Sequence, residues 1–136
     1  MRILVDTDVL VDFVVKRKSF SNNAGEIIEQ CVNKRVQGCI AAHTIPNLFY
    51  ILRKDLAAEK RRLILLNICK IFTVVGIDAI KLESALRNND FTDFEDCLQT
   101  ECAKEFGADF IITRNVKDFV GSAVPAIEPA EFAQKY

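Results

Sequence analysis

The chain has 136 residues, of which 50% are hydrophobic and 27% are charged, with a formal net charge of −1. This composition is typical of a globular domain with a buried core, and it excludes a disordered chain. It also excludes the strong positive field of a protein that coats nucleic-acid duplexes. No apolar stretch approaches the ~18 residues of a membrane span. We therefore expect one domain over residues 1–136.

The cysteines and the amino terminus indicate the compartment. Five cysteines occur without a C-x-x-C pair and beside a single histidine, so a zinc site is not expected. Cysteines of this kind are typical of small, reduced core side chains. Met1 and Arg2 lead directly into a strand-like segment, without the regions of a signal peptide. We expect a cytoplasmic protein.

Strand and helix patterns alternate along the chain. The predicted strands cover residues 3–5, 39–42, 72–77, 110–113 and 124–127. The predicted helices cover residues 8–16, 44–54, 57–71, 78–87 and 93–107, with another from Ser21 or Asn22 up to Gly38 and a short one near Glu131. Asp78 is expected to cap the helix that runs through Arg87, and Asp93 is expected to start the helix that ends at Gly107. This alternation predicts an α/β fold, a three-layer α/β/α sandwich with a mainly parallel central sheet.

The first predicted strand delivers acidic residues at its carboxyl end. Asp6 follows the strand directly, and Asp8 and Asp12 come soon after it. Open α/β sheets present their chemistry at this end of the strands. A close pair of carboxylates repels by about 4 kcal/mol at an effective dielectric of ~20, and a hard divalent cation removes that cost, which indicates Mg²⁺ or Mn²⁺. The structural alternative is that Asp6 ends the strand and Asp8 caps the next helix.

A second group of acids begins the predicted helix 93–107. Asp93 and Asp96 are neighbours on one helical face. Asp93 has a structural reason to occur at a helix N-terminus, so Asp96 is the better candidate for a ligand. The apolar residues at every fourth position are expected to form the buried stripe and to point Glu95 elsewhere: Phe94, Leu98, Cys102 and Phe106.

The fourth predicted strand also ends in polar residues, with Thr113 at its end. Asn115 offers an amide oxygen that can bind a hard cation directly or through water, and Asp118 follows after a turn. Arg114 can contact phosphate and forms, with Lys117, one of several local basic clusters that could steer a nucleic acid. The alternative for these cations is a solvated surface. All of these groups converge on the first strand only if the first and fourth strands are neighbours.

Four segments occur in a characteristic order: L-V-D-T-D-V-L-V-D, T-I-P-N-L-F-Y-I-L-R-K, D-F-E-D-C-L-Q and I-I-T-R-N-V-K-D-F. Over essentially the whole chain, this ordered set resembles the PIN domain and, more closely, the VapC-like nucleases of bacterial toxin–antitoxin modules. The resemblance implies a ribonuclease with Mg²⁺ or Mn²⁺ at the carboxyl edge of a parallel sheet. It also implies an RNA substrate, a small antitoxin partner and a homodimer.

The resemblance assigns roles to individual residues. The family's first acid falls on Asp6 and its helix acid on Asp96, with Asp93 as an accessory acid that orients or deprotonates the attacking water. The late acid falls on Asn115, with Asp118 as a possible substitute. These assignments imply a catalytic set of Asp6, Asp96 and Asp93 and a metal-binding set of Asp6, Asp96 and Asn115.

Two departures from the family pattern reduce the negative charge of the site. Asn47 stands where a glutamate is usual, and Asn115 stands at the late acid position. Asp8, conversely, stands where asparagine is commoner. With Asn47, Asp8, Thr113 and Asp118 as accessory groups and Arg114 and Lys117 as RNA contacts, we expect a single ion at this site.

Two alternatives to a nuclease remain. The first is a PIN-fold binding module that has lost cleavage, which the two amides favour. The second is a phosphatase of the haloacid dehalogenase type, whose opening D-x-D motif fits Asp6 as nucleophile and Asp8 as acid. That family requires a lysine after an apolar strand, and Lys117 is the one candidate. The lone His43 lies at a strand-to-helix junction and is more typical of a hydrogen-bonding residue than of a general base.

Overall fold

The computed structural model describes residues 1–91 and 93–136. The strands are β1 (Arg2–Val5), β2 (Gln37–Ala41), β3 (Thr73–Val75), β4 (Phe110–Ile112) and β5 (Ala126–Ile127). The helices are α1 (Thr7–Val14), α2 (Ser21–Val32), α3 (Thr44–Ile51), α4 (Ala58–Ile71), α5 (Ala79–Arg87), α6 (Phe94–Phe106) and α7 (Pro129–Lys135), with 3₁₀ turns at Leu52–Lys54 and Val116–Phe119. Across these described ranges, none of the helices has both the length and the apolar character needed to cross a membrane.

The five strands form a parallel sheet in the order β3-β2-β1-β4-β5. The predicted parallel sheet is confirmed. The first and fourth strands are neighbours in it, which meets the condition that the sequence left open. Val5 at the end of β1 lies opposite Ile112 at the end of β4. Because the two strands run in the same direction, Asp6 and Thr113, which follow them, lie at the same edge of the sheet.

Helices cover both faces of the sheet. Side chains alternate along a strand, so Ile3 and Val5 belong to one core and Leu4 to the other. The first core joins the sheet to α1, α2, α3, α4 and α7, and the second joins it to α6. Helix α5 packs on α6 through Ala85 and Leu98. The predicted three-layer α/β/α sandwich is confirmed.

Local sequence signals set several helix boundaries. Asp78 accepts a hydrogen bond from the backbone N–H of Lys81 at 2.9 Å, and Asp93 accepts one from that of Asp96 at 3.1 Å. Both are the N-caps that the sequence predicts. Helix α6 ends at Gly107, whose φ of 73° lies in the left-handed region that glycine adopts without a Cβ clash.

Other predicted boundaries are wrong. The cap of α1 is Asp6 and not Asp8, which lies within the first helical turn. Helix α1 ends at Val14, because the chain turns just beyond it with Lys16 in the left-handed conformation at φ 53°. The predicted helix 44–54 is α-helical only as far as Ile51 and continues as a 3₁₀ turn.

The close approach of β2 to its neighbours requires a glycine. A Cβ on Gly38 would lie 2.7 Å from Cys31 Sγ and 2.7 Å from the Phe72 ring. We expect Gly38→Ala to lower the free energy of unfolding by about 1–3 kcal/mol, as overpacking does, in urea denaturation. Gly25→Ala in α2 is the control, since its Cβ would come no closer than 3.8 Å to Phe13 and should stabilise the helix by about 0.5–1 kcal/mol. Equal stability of the two variants would contradict this prediction.

Candidate functional site

Asp6 is held from both sides at the junction of β1 and α1. Its Oδ1 accepts a hydrogen bond from the backbone N–H of Thr7 at 2.7 Å, and its Oδ2 accepts one from the Thr113 hydroxyl at 2.8 Å. The N–H of Asp6 donates to the Ile112 carbonyl at 3.0 Å. Only 6% of the residue is exposed. The carboxylate therefore has a defined orientation at the edge of the sheet.

Asp8 accepts hydrogen bonds from the residues that follow β4. Its Oδ2 accepts hydrogen bonds from the backbone N–H of Arg114 at 3.2 Å and from Nδ2 of Asn115 at 3.0 Å. Its Oδ1 is buried and has no hydrogen-bond partner within residues 1–91 and 93–136. The polar residues after β4 thus converge on the acids after β1, which the sequence had made conditional on strand order.

Three carboxylates crowd the start of α6. Asp93 caps the helix, Glu95 and Asp96 occupy its first turn, and one oxygen of each lies within 4.8 Å of the others. The expectation that Glu95 points elsewhere is wrong, because Glu95 lines the same cavity as Asp6 and Asp96. The predicted stripe fails at Phe94, which is 42% exposed. Burial along α6 begins only with the second turn.

A polar network that sequence reasoning missed connects these acids. Gln99 is fully buried, and its Nε2 donates to Glu95 Oε1 at 3.0 Å and to Asp6 Oδ1 at 3.2 Å. His43 Nε2 lies 2.8 Å from the same Glu95 oxygen. The available signal was a glutamine one helical turn after Glu95 within a buried stretch, since a buried amide requires hydrogen-bond partners.

The acids open onto a cavity of about 420 Å³ at the carboxyl edge of the sheet. The carboxylate and amide side chains that line it are Asp6, Asp8, Asn47, Glu95, Asp96 and Asn115. They come from the ends of β1 and β4, from α1 and from α3 and α6. Arg17 also lines the cavity. The site therefore brings together residues from both ends of the chain.

Five residues of the predicted site lie outside this cavity lining. Asp93 is exposed at the start of α6, and Thr113 is fully buried beside Asp6. The guanidinium of Arg114 is paired with the buried carboxylate of Asp12, with Nη2 at 3.2 Å, and it lines a different cavity. Lys117 and Asp118 are exposed on the 3₁₀ turn after Asn115. The charge of Asp118 nevertheless acts on the Asp96 carboxyl.

Burial and crowding raise the pKa of three carboxyls. Burial is the largest cause of the raised pKa of Asp6, followed by the charge of Asp8, whose own pKa burial also raises. Burial and the charge of Glu95 raise the pKa of Asp96 to about 7. Burial is the largest single effect on the pKa of Glu95 and acts in the same direction. The hydrogen bond and charge of His43, together with the Gln99 hydrogen bond, oppose it, and the pKa of Glu95 is lowered. The site is thus a set of mutually repelling acids.

The chain folds as an α/β/α sandwich with acids gathered at one edge of a parallel sheet, and a comparison with known families identifies its class. A family model described as "PIN domain" matches residues 2–117. The chain belongs to the PIN domain family. This match confirms the resemblance found in the sequence, and it decides against the haloacid dehalogenase-type alternative.

Several solved structures share the fold. DNA-bound VapBC from Salmonella typhimurium has 19% identity and a TM-score of 0.70, over 95% of this chain and 98% of that one. A toxin–antitoxin complex from Klebsiella pneumoniae has 22% identity and a TM-score of 0.68, over 93% and 97%. VapBC2 from Rickettsia felis, bound to a DNA fragment from its promoter, has 18% identity and a TM-score of 0.67, over 94% of this chain and 98% of that one. No curated protein matches the chain.

The raised pKa of Asp96 makes stability depend on pH. The pKa of an aspartic carboxyl is about 3.9 in an unfolded chain and that of Asp96 is about 7 in the folded protein. The folded state therefore binds the proton more tightly, and this stabilisation is lost as the pH rises from about 4 to about 7. We expect Asp96→Asn to reduce this loss by on the order of 1 kcal/mol, allowing for partial exposure.

Urea unfolding in EDTA near pH ~5 and pH ~8 measures this difference. Asp55→Asn supplies the matched control, since Asp55 is exposed and does not line the cavity. An Asp96→Asn variant that loses as much stability between the two pH values as the wild type would contradict the prediction.

Proposed function

We propose that this protein is a metal-dependent endoribonuclease that cuts single-stranded or structured RNA. The observation that carries the proposal is the convergence of Asp6, Asp96 and Asn115 on one cavity at the carboxyl edge of the sheet. Catalytic sites of open α/β sheets lie at this edge. Membership of the PIN domain family, whose members are typically nucleases, supports the same conclusion.

The side chains of the cavity fit a hard divalent cation. Carboxylate and amide oxygens, which dominate the lining, are the ligands that Mg²⁺ and Mn²⁺ prefer. The buried Oδ1 of Asp8 lacks a hydrogen-bond partner among the described residues, and burial together with the charges of neighbouring acids raises the pKa of Asp6 and Asp96. A cation at this position would give the Asp8 oxygen a partner and would relieve the repulsion among the carboxylates. We propose Mg²⁺ or Mn²⁺.

The acids and amides at the cavity divide the work of the site in this proposal. Asp6 and Asp96 would hold the cation directly, and the amides of Asn47 and Asn115 would help to hold its water ligands. A bound cation neutralises charge on the scissile phosphate and lowers the pKa of a water ligand. Asp93, whose carboxylate lies within 4.8 Å of that of Asp96, orients or deprotonates the attacking water.

The basic groups near the cavity are proposed to contact the RNA backbone. Arg17 lines the cavity itself, and the exposed Lys117 follows Asn115 on the next turn. The guanidinium of Arg114 must exchange its pairing with Asp12 for a phosphate, so Lys117 is the stronger of the two predicted contacts. Thr113 is fully buried behind Asp6 and acts by positioning that carboxylate.

The proposal includes an antitoxin partner. The similar structures described above are toxin–antitoxin complexes, some of them bound to DNA, and they match this chain along nearly its whole length. We propose that the chain is the toxin of such a module, held inactive by a small antitoxin, and that it acts as a homodimer.

A second candidate function is a PIN-fold module that binds RNA without cutting it. Asn47 and Asn115 both line the cavity, and an amide contributes no charge to a metal site. This candidate predicts RNA binding with the same affinity in the presence and absence of Mn²⁺ and no cleavage in either condition.

Asp6→Asn tests the nuclease directly. We expect Mn²⁺-dependent cleavage of a labelled RNA to fall by about a hundredfold or more, because even outer-shell partners of a metal are worth ~10–100-fold. The fold should persist, since burial already favours the uncharged form of Asp6, and circular dichroism checks it. Asp55→Asn should cut like the wild type, and EDTA should stop both. Full activity of Asp6→Asn would refute the proposal, and an inactive wild type would favour the binding module.

The two amides predict the number of ions. We expect Mn²⁺ titrated into the metal-free protein to bind at one site, with a dissociation constant in the roughly millimolar range, because ligand charge controls affinity. Electron paramagnetic resonance of the free ion measures the stoichiometry. Two tight sites per chain would contradict this prediction.

A further inference from the structure

We propose that Glu95 is a further metal-ligating carboxylate of this site and that Gln99 and His43 are its positioning residues. The inference rests on the proposed function, because it adds Glu95 to the acids that hold the cation. It assigns a purpose to a buried amide and to the one histidine of the chain, neither of which the proposed mechanism uses.

Gln99 connects the two sides of the cavity. Its Nε2 lies 3.0 Å from Glu95 Oε1 on the same helix and 3.2 Å from Asp6 Oδ1 at the end of β1. The two hydrogens of an amide nitrogen suffice for one bond to each carboxylate. The separation of Glu95 from Asp6 is therefore set by a side chain that is fully buried and cannot move into solvent.

The orientation of Gln99 is dictated by the acids. Its carbonyl oxygen is buried and has no hydrogen-bond partner in the described part of the chain, and burying an unpaired acceptor is unfavourable. The reversed amide would place that oxygen against two carboxylates, which repel it. An apolar side chain would fill the same interior without the unpaired oxygen. The amide is thus explained by the two carboxylates that it joins.

His43 also contacts Glu95, from a different part of the fold. It lies between β2 and α3, and its Nε2 is 2.8 Å from Glu95 Oε1, the oxygen that Gln99 also contacts. A carboxylate has about four lone-pair sites. Two donors on Oε1 leave Oε2 for a further ligand, and Glu95 lines the cavity that Asp6 and Asp96 share.

The position of Glu95 also suits the charge of the site. Its carboxylate lies within 4.8 Å of those of Asp93 and Asp96. The amides of Asn47 and Asn115 bring no charge to the cavity, so Glu95 adds a negative charge beside Asp96 that favours a divalent ion. A purely structural His43–Glu95 pair would not require a buried bridge to Asp6.

The test compares Mn²⁺ affinities, measured by electron paramagnetic resonance of the free ion, with thermal unfolding midpoints. Glu95→Gln keeps the shape and the acceptor oxygen but removes the charge, and Gln99→Met keeps the volume but removes the donors. We expect Glu95→Gln to weaken binding by at least about tenfold and Gln99→Met by about 10–100-fold. Glu101→Gln on the same helix is the matched control, since Glu101 contacts Lys104 and not the cavity.

The histidine is tested by a pair of variants. His43→Leu removes the donor and should weaken Mn²⁺ binding by about tenfold. His43→Gln keeps a donor in reach of Glu95 and should bind Mn²⁺ with an affinity close to that of the wild type. A merely structural role would lower the unfolding midpoint of both histidine variants without this difference in affinity. If Gln99→Met does not fold, Glu95→Gln and the histidine pair decide the question.

The outcomes separate this inference from the proposed function. Wild-type affinity in Glu95→Gln would overturn the inference and leave the nuclease proposal intact. Absence of Mn²⁺ binding in the wild type would overturn both. Weakened binding in Glu95→Gln, with a wild type that binds Mn²⁺ but cuts no RNA, would support the role of Glu95 and refute the nuclease.

Discussion

The parallel pairing of β1 with β4 is the constraint on which the rest of the site depends. The Asp6 N–H donates a hydrogen bond to the Ile112 carbonyl, so the hydrogen-bond ladder continues one residue beyond the strand. The Thr113 hydroxyl then donates to the Asp6 carboxylate at 2.8 Å. Asp8 in turn receives the backbone of Arg114 and the amide of Asn115. If the two strands were antiparallel, their carboxyl ends would be separated by the length of the strands.

Two helix N-termini make this concentration of acids tolerable. Asp6 caps α1 and Asp93 caps α6, and each accepts a hydrogen bond from a backbone N–H of its helix. The positive end of a helix dipole favours carboxylates. The capping role and the functional role of Asp6 are therefore compatible, since one oxygen serves the helix and the carboxylate still borders the cavity. Thr113 satisfies the other oxygen without adding charge.

The acids of the cavity differ in the support that they receive. Burial and crowding raise the pKa of Asp6 and Asp96, whereas His43 lowers that of Glu95. In our proposal this difference has a purpose, because Glu95 replaces charge that Asn47 and Asn115 do not provide. The buried Gln99 then keeps the replacement at a set distance from the acid of β1.

Local patterns were enough to predict the α/β class, the succession of strands and helices along the chain, and the caps Asp78 and Asp93. Each of these depends on residues that are neighbours in sequence. They also led to Asp6, Asp96 and Asn115, which follow apolar segments or begin a helix. Glu95 was missed, because extrapolating the stripe from Phe94 assumed that α6 is buried from its first turn. Only the tertiary structure decided the order of the strands within the sheet and the rotation of α6 about its axis, and hence which acids face each other. These features are set by packing between residues that are distant in sequence.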